Sequence, residues 1–351
     1  MVSVVHVANL DDADKPTLPS KRDAYAALSR FSASHNAAFG SPALGLKEAE
    51  FEMRPPVDKE MATRWSLLLQ GDRIVGVMTV RLQTATGRGL LRIFADPTDT
   101  DLYRDVCCKA VELARPFLDE IAETKVKAGT PVLFSVGLVS EQDFGLIRIL
   151  EQEGFTSTRS FKTMLRNFVN DEDSMARLSK ESLSLLNSLG FEIRPYDADL
   201  HAHALHVANE TAFKGHFGHV RTVPFDIWFD DTHNLGDGFS PSLFTICWNT
   251  TTNTCVGAVL SYNWRNVGGT ASIYQVFVDK ALRGKGVGKA LLLIAFESLR
   301  NAGFDSVRLY VDAENGTNAV ELYKAVGMSC FRTESYFRKI IRGNPSLVVD
   351  C

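Results

Sequence analysis

The chain has 351 residues, 45% of them apolar, with 22 Phe and a net charge of −4. That is enough for two domains with their own cores, and the charge balance argues against a nucleic-acid binder. No apolar run reaches the roughly 18 residues of a membrane span, and no basic stretch precedes an apolar one near the start, so neither a membrane contact nor a signal peptide is expected. Cys107, Cys108, Cys247, Cys255, Cys330 and Cys351 show no metal-ligand spacing; a reducing cytoplasm and no metal are the expectation.

Residues 1–20, with Pro16 and Pro19, read as a loosely packed lead-in. A hairpin follows at 64–82, turning at Gly71-Asp72, then a strand at 90–96 and a long amphipathic helix at 101–123. A strand at 131–138 and a helix-plus-strand stretch at 144–165 complete the first half. Residues 167–190 start acidic, become helical and read as a connector. A strand opens the second half at 191–200, and 206–222 gives helix and loop carrying Glu210, His216 and His219. Phe225, Trp228 and Phe229 read as one helix's buried face, while His216 and His219 lack a third partner for a metal. A hairpin spans 242–263 with Gly257 inside its second strand. Then come a strand at 271–278, a glycine-rich loop, a helix at 290–303, a strand at 307–315 and a helix at 319–326. The basic run Arg332, Arg338, Lys339 and Arg342 reads as a solvated strand end.

The halves share one rhythm, which points to duplicated domains. Gly76 matches Gly257, and Gly154-Phe155 matches Gly327-Met328. The chemistry differs. Leu150 stands opposite Tyr323, and the first copy has ADPTDTDL (95–102) where the second has its glycine loop, so three aspartates would repel a phosphate there.

That loop, Arg283-Gly284-Lys285-Gly286-Val287-Gly288-Lys289, joins a strand to a helix N-terminus. Backbone N–H groups converge there with no side chain in the way, and the helix dipole adds positive charge, which suits a diphosphate. A Walker loop is excluded because Arg283 replaces the first glycine and Ala290 the metal-binding hydroxyl. The dinucleotide fingerprint fails on spacing.

Arg283-x-x-Gly286-x-Gly288 resembles the pyrophosphate loop of the GNAT superfamily of N-acetyltransferases. A second motif supports it: Asn315, Ala319, Leu322, Tyr323 and Gly327 occur in the family's order, with Met328 in place of the usual Phe. The resemblance implies an α/β (α+β) fold of two tandem GNAT domains, each a mixed, mostly antiparallel twisted sheet flanked by helices. It divides the chain into a degenerate domain at 21–166, a linker helix at 167–190, a catalytic domain at 191–342 and a tail at 343–351. Arg283 to Lys289 (with Gly284, Lys285, Gly286, Val287 and Gly288 between) would hold the diphosphate of acetyl-CoA, the acetyl donor. Val276 and Val278 would offer backbone groups to the pantetheine arm and Asn315 a hydrogen bond. Tyr323 would protonate the departing thiolate. The strand before the loop offers Ser272, Tyr274 and Gln275 but no acid, so Glu210, His216 and His219 are the candidates on the substrate side. The expected acceptor is a small-molecule amine and the expected protein a monomer or homodimer. The alternatives are a protein amine as acceptor, or an acyl-CoA sensor or scaffold without catalysis.

Overall fold

The structure is a computed structural model that describes residues 2–7, 19–39, 44–168, 172–216, 219, 221–235, 238–263, 269–314 and 316–344. Two compact units emerge, and the first is not one continuous stretch. The first takes the chain up to Phe161 and again from Thr333; the second takes Lys162–Arg332.

The first unit starts with β1 (Ser3–His6), α1 (Lys21–Phe39) and α2 (Leu46–Glu52). Then come β2 (Met61–Gln70), β3 (Arg73–Gln83) and β4 (Arg88–Ala95). α3 (Thr100–Lys125), β5 (Val132–Ser140), α4 (Phe144–Gln152) and the start of β6 (Thr156–Asn167) follow. Neighbouring strands are antiparallel from β1 to β4, and β4 and β5 run parallel. The second unit contains α5 (Glu172–Ser188), β7 (Phe191–Arg194), α6 (Ala198–Phe213) and α7 (Phe225–His233). β8 (Phe244–Asn249), β9 (Thr254–Tyr262), β10 (Thr270–Val278) and α8 (Val287–Asn301) come next. β11 (Ser306–Asp312), α9 (Ala319–Ala325) and the start of β12 (Ser329–Arg342) complete it. β7 to β10 are antiparallel, and β10 and β11 run parallel.

Both copies turn the same way for the same reasons. The glycine in the second hairpin strand lets the long helix lie close on the sheet. A Cβ on Gly76 would fall 2.6 Å from Val106 Cγ1 of α3, and one on Gly257 would fall 3.0 Å from Leu291 Cδ1 of α8. Each short helix ends on a left-handed glycine. Gly154 has φ +76° and Gly327 φ +83°. The following N–H closes on the carbonyl five residues back, Phe155 to Leu150 at 2.9 Å and Met328 to Tyr323 at 3.0 Å.

Four sequence expectations need revision. Ser3–His6 is not loose: it pairs with β2 from Ser3↔Leu69 to His6↔Ser66. The 167–190 stretch is more than a connector, because Phe168, Met175 and Leu186 are buried in one core with α8. Arg332 and Arg338 are buried rather than solvated. The linear limits 21–166 and 191–342 also differ from the compact units, because β12 runs past Arg332 and pairs with β5 from Glu334↔Ser140 to Arg342↔Val132.

Candidate functional site

In the second unit, β10 and β11 hold together only from Thr270↔Ser306 to Ile273↔Leu309. Beyond that they part. Across the same region the register between β10 and β9 shifts between Ile273 and Gln275, a one-residue bulge at Tyr274. The bulge changes which residues face which helix. Ala271 and Ile273, then Val276 and Val278, belong to the α8 core. Gln275 and Phe277 turn to α6, where Gln275 Oε1 accepts from Asn209 Nδ2 at 2.6 Å and Phe277 meets the Phe213 ring at 6.4 Å.

The bulge also fixes the backbone. The Asp279 N–H donates to Val256 of β9 at 2.9 Å. Alternate residues of a strand aim their backbone groups at alternate edges. Phe277 therefore serves β9, and Val276 and Val278 face the edge that β11 has left. A cavity of about 440 Å³ fills that gap.

The loop closes one end of the cavity. Asp279 folds it into a turn by accepting from Ala281 N at 2.8 Å, and the Arg283 N–H is spent on Lys280 O. Past Arg283 the backbone opens. Gly284 and Gly286 have φ +78° and +82°. The first bond of α8 is Ala290 N–H to Gly286 O at 3.0 Å. Among the described residues, the N–H groups of Gly284 through Lys289 find no other partner, and no side chain caps the helix. Those donors, concentrated at a helix N-terminus, are what a diphosphate needs.

Arg283 does less for an anion than its place in the motif suggests. Its Nε donates to Val278 O at 3.3 Å and its Nη2 to Ala212 O at 3.4 Å. Lys280 Nζ donates to Lys214 O at 3.2 Å. Both cations thus pin the end of α6 to the loop, while Lys289 lines the cavity from an exposed position.

Tyr323 reaches the same cavity from α9, with Ala319 and Leu322 beside it. Its phenol is buried, which pushes its pKa up to about 12, so it keeps its proton. His216 also lines the cavity. Its pKa is lowered, by burial first and then by Arg283, Lys280 and His219, with Asp312 opposing. Glu210 and His219 lie elsewhere. They face each other at 3.3 Å, and Glu210 Oε2 accepts from Val223 N at 3.0 Å, closing the loop after α6. Lys285 is exposed and does not line the cavity, and Asn315 lies outside the described residues. Sequence reasoning missed the Asn209–Gln275 pair, because a buried Asn on a helix carries no spacing signature.

The first unit has the same parting strands, paired only from Arg88↔Leu133 to Leu91↔Val136. There its own groups take the free donors. Asp99 caps α3, accepting from Leu102 N at 3.1 Å. Ala95 matches Val278 in register, since Gly76 pairs with it as Gly257 pairs with Val278. Its N–H points at His35 Nε2, 3.4 Å away. Burial holds the pKa of His35 down to about 4, so the ring stays neutral and can accept. Leu150, opposite Tyr323 in the repeat, is fully buried.

A parallel strand pair that splays over an uncapped glycine loop defines a class of α/β fold with an anion site at the start of a helix. Residues 207–328 match the Acetyltransferase (GNAT) family model. A mycothiol acetyltransferase of Nocardiopsis dassonvillei is 26% identical over 205 residues, 54% of this chain and 59% of that protein. The chain spans between about a fifth and about three fifths of the length of the curated relatives it matches first. Two solved structures share the whole fold. A GCN5-related N-acetyltransferase from Sphaerobacter thermophilus has TM-score 0.70 at 20% identity, covering 95% of this chain and 97% of that one. A tandem GNAT protein from the clavulanic acid biosynthesis pathway has TM-score 0.66 at 13% identity, covering 98% and 100%. Within the second unit, residues 207–328 are thus similar to the GNAT family, and the fold of the chain is similar to that of a tandem GNAT protein. No described helix is long and apolar enough to cross a membrane.

Proposed function

We propose that the second unit is an N-acetyltransferase that moves an acetyl group from acetyl-CoA to the amine of a small molecule. The observation that carries this reading is the cavity itself: backbone donors without partners at one end, a buried phenol in its wall, and an open strand edge between. The name of the Nocardiopsis relative supports acetyl as the group moved. The residues fit the donor on structural grounds, because a Cβ on Gly286 would need a strained backbone and would crowd Leu185 Cδ2 at 3.3 Å. Gly284 through Lys289 would hold the diphosphate, and the open edge of Val276 with the N–H of Val278 the pantetheine arm. Bound there, acetyl-CoA supplies an acyl group activated as a thioester.

Tyr323 holds a proton at its phenol oxygen and donates it toward the sulfur as negative charge develops there. Burial keeps that proton in place at neutral pH and strengthens the hydrogen bond by lowering the local dielectric. Asn209 holds the Gln275 amide in the cleft wall. The acceptor enters as the neutral amine and gives its surplus proton to solvent; β10 brings no carboxylate to the cleft, and Asp312 at the end of β11 lines it. The first unit has no donor role in this scheme; its loop donors are capped by its own side chains.

The test is thiol release from acetyl-CoA with a panel of small amines and with an N-terminal peptide, for wild type and Tyr323→Phe. Turnover on a small amine, lost in the variant, supports the assignment. Binding without transfer to any amine would favour a sensor instead, and transfer confined to the peptide would move the acceptor to a protein amine.

A further inference from the structure

His216 lines the cleft together with the glycine loop. It follows α6, and the end of that helix is held against the glycine loop by two cations, Arg283 through Ala212 O and Lys280 through Lys214 O. Its ring packs on Phe213 with centroids 5.4 Å apart. Phe213, Arg283, Gly284 and Lys289 line the same cavity as His216. The charged and titratable groups around it are Arg283 and Lys280 from the loop, His219 from its own segment, and Asp312 from the end of β11. Three of these four disfavour the imidazolium. In the empty cleft the ring is therefore neutral in a place that is rich in backbone donors and cations.

We infer that His216 is a proton-coupled ligand of the donor's diphosphate: it picks up one proton from solvent when the anion seats on the loop. This rests on the acyl-CoA reading above and assigns His216 to the donor rather than to the acceptor. The reasoning is electrostatic. A diphosphate on the loop would bring two negative charges beside a ring that now faces the cations of Arg283 and Lys280 with only Asp312 opposing, and an opposite charge that close favours the cationic form by about 1–3 pKa units. The imidazolium then gives the anion an N–H donor that neutral imidazole can offer only in one tautomer.

The sign follows from linkage. The complex binds the proton more tightly than the free protein, so affinity is highest below the free-state pKa, which lies under the ordinary 6.5. Affinity falls as pH rises toward the bound-state pKa and levels off above it. Each unit by which binding raises the pKa corresponds to about a tenfold fall between the two plateaus.

The experiment titrates the full chain with acetyl-dephospho-CoA, which retains the diphosphate and lacks the separately titrating 3′-phosphate. Calorimetry in two buffers of different ionisation enthalpy, from pH 5.5 to 8.5, counts the protons taken up. The expected result is uptake peaking between about half a proton and one for a shift of about 1–3 units, a loss of affinity across the range of about tenfold or more, and no uptake with acetyl-pantetheine, which has no diphosphate. His216→Gln should abolish the uptake and hold affinity at the alkaline plateau. His216→Lys, with a fixed charge, should give flat affinity near the acid plateau, which a merely structural histidine would not do. Binding with no uptake, or uptake that survives in both variants, overturns the assignment. If acetyl-CoA does not bind at all, the donor-site reading itself falls, and the two failures are thereby told apart.

Discussion

Gly286→Ala probes the loop most directly. Gly286 sits at φ +82°, where a side chain costs about 1–2 kcal/mol. The new Cβ would also stand 3.3 Å from Leu185 Cδ2, a contact the flexible leucine can relieve by a few tenths of an ångström. The conformational cost therefore dominates, and it has two places to go. If the loop keeps its shape, the melting temperature falls by about 2–8 °C, taking about 2–4 °C per kcal/mol for a unit of this size. If the loop relaxes, the N–H groups turn away and acetyl-CoA affinity drops by about 5- to 30-fold. Thermal melts and calorimetric titration on the same preparation should account for the whole cost between them. Gly284→Ala is the control: φ is +78° but nothing lies within 4 Å of its Cβ, so it isolates the backbone component. A Gly286→Ala protein within about twofold of wild type in affinity and unchanged in melting would refute the left-handed cradle, since about 1 kcal/mol must appear somewhere.

Tyr323→Phe should lower kcat by about 10²–10⁴-fold with little change in donor affinity. Because burial raises the phenol to about 12, wild-type activity should show no alkaline limb from this group up to pH 10; a limb near 9 that vanishes in the variant would contradict the environment described. Gly257→Ala should cost about 1–3 kcal/mol by overpacking, because its Cβ meets the Phe277 carbonyl at 2.9 Å and Leu291 Cδ1 at 3.0 Å. Chemical denaturation reads this, and a neutral result would mean α8 has room to shift. Asp99→Ala should destabilise the first unit by about 0.5–2 kcal/mol through loss of the α3 cap while leaving acetyl-CoA binding unchanged. A weaker affinity there would mean that the first unit contributes to donor binding after all.

Much of the fold was legible because it rests on backbone requirements that residues announce. The turn at Gly71-Asp72, the close-packing pair Gly76 and Gly257, and the caps Gly154 and Gly327 all fall where the repeat put them. What the sequence could not show is partner choice. β12 is a fourteen-residue strand, of which the basic run from Arg332 to Arg342 reads in the sequence only as an end. Nothing in its alternation says that its second half pairs with β5, because period-two patterning specifies a face and not a neighbour. The same limit applied to the site. Arg283 matched its motif, yet only geometry shows its guanidinium spent on Val278 O and Ala212 O. His216 and His219 looked equivalent in the chain, yet one lines the cavity and the other faces Glu210.

The two copies make an argument that neither makes alone. Both part their parallel strands after a short register and both start a long helix just beyond. A helix start without a cap is less stable than a capped one by about 0.5–2 kcal/mol, so the capped version needs no further explanation. The first unit has it, with Asp99 on Leu102 N, and it also covers the Ala95 N–H with a neutral, buried His35. The second unit leaves the matching donors open and holds Gly286 at a positive φ to do so. Beside them it buries Tyr323 in the cavity wall, where the first unit has only the packed Leu150. Stability alone would favour the first arrangement in both places. A ligand that supplies the missing acceptors accounts for the second, and an anion at a helix N-terminus is the ligand whose charge and geometry match those donors.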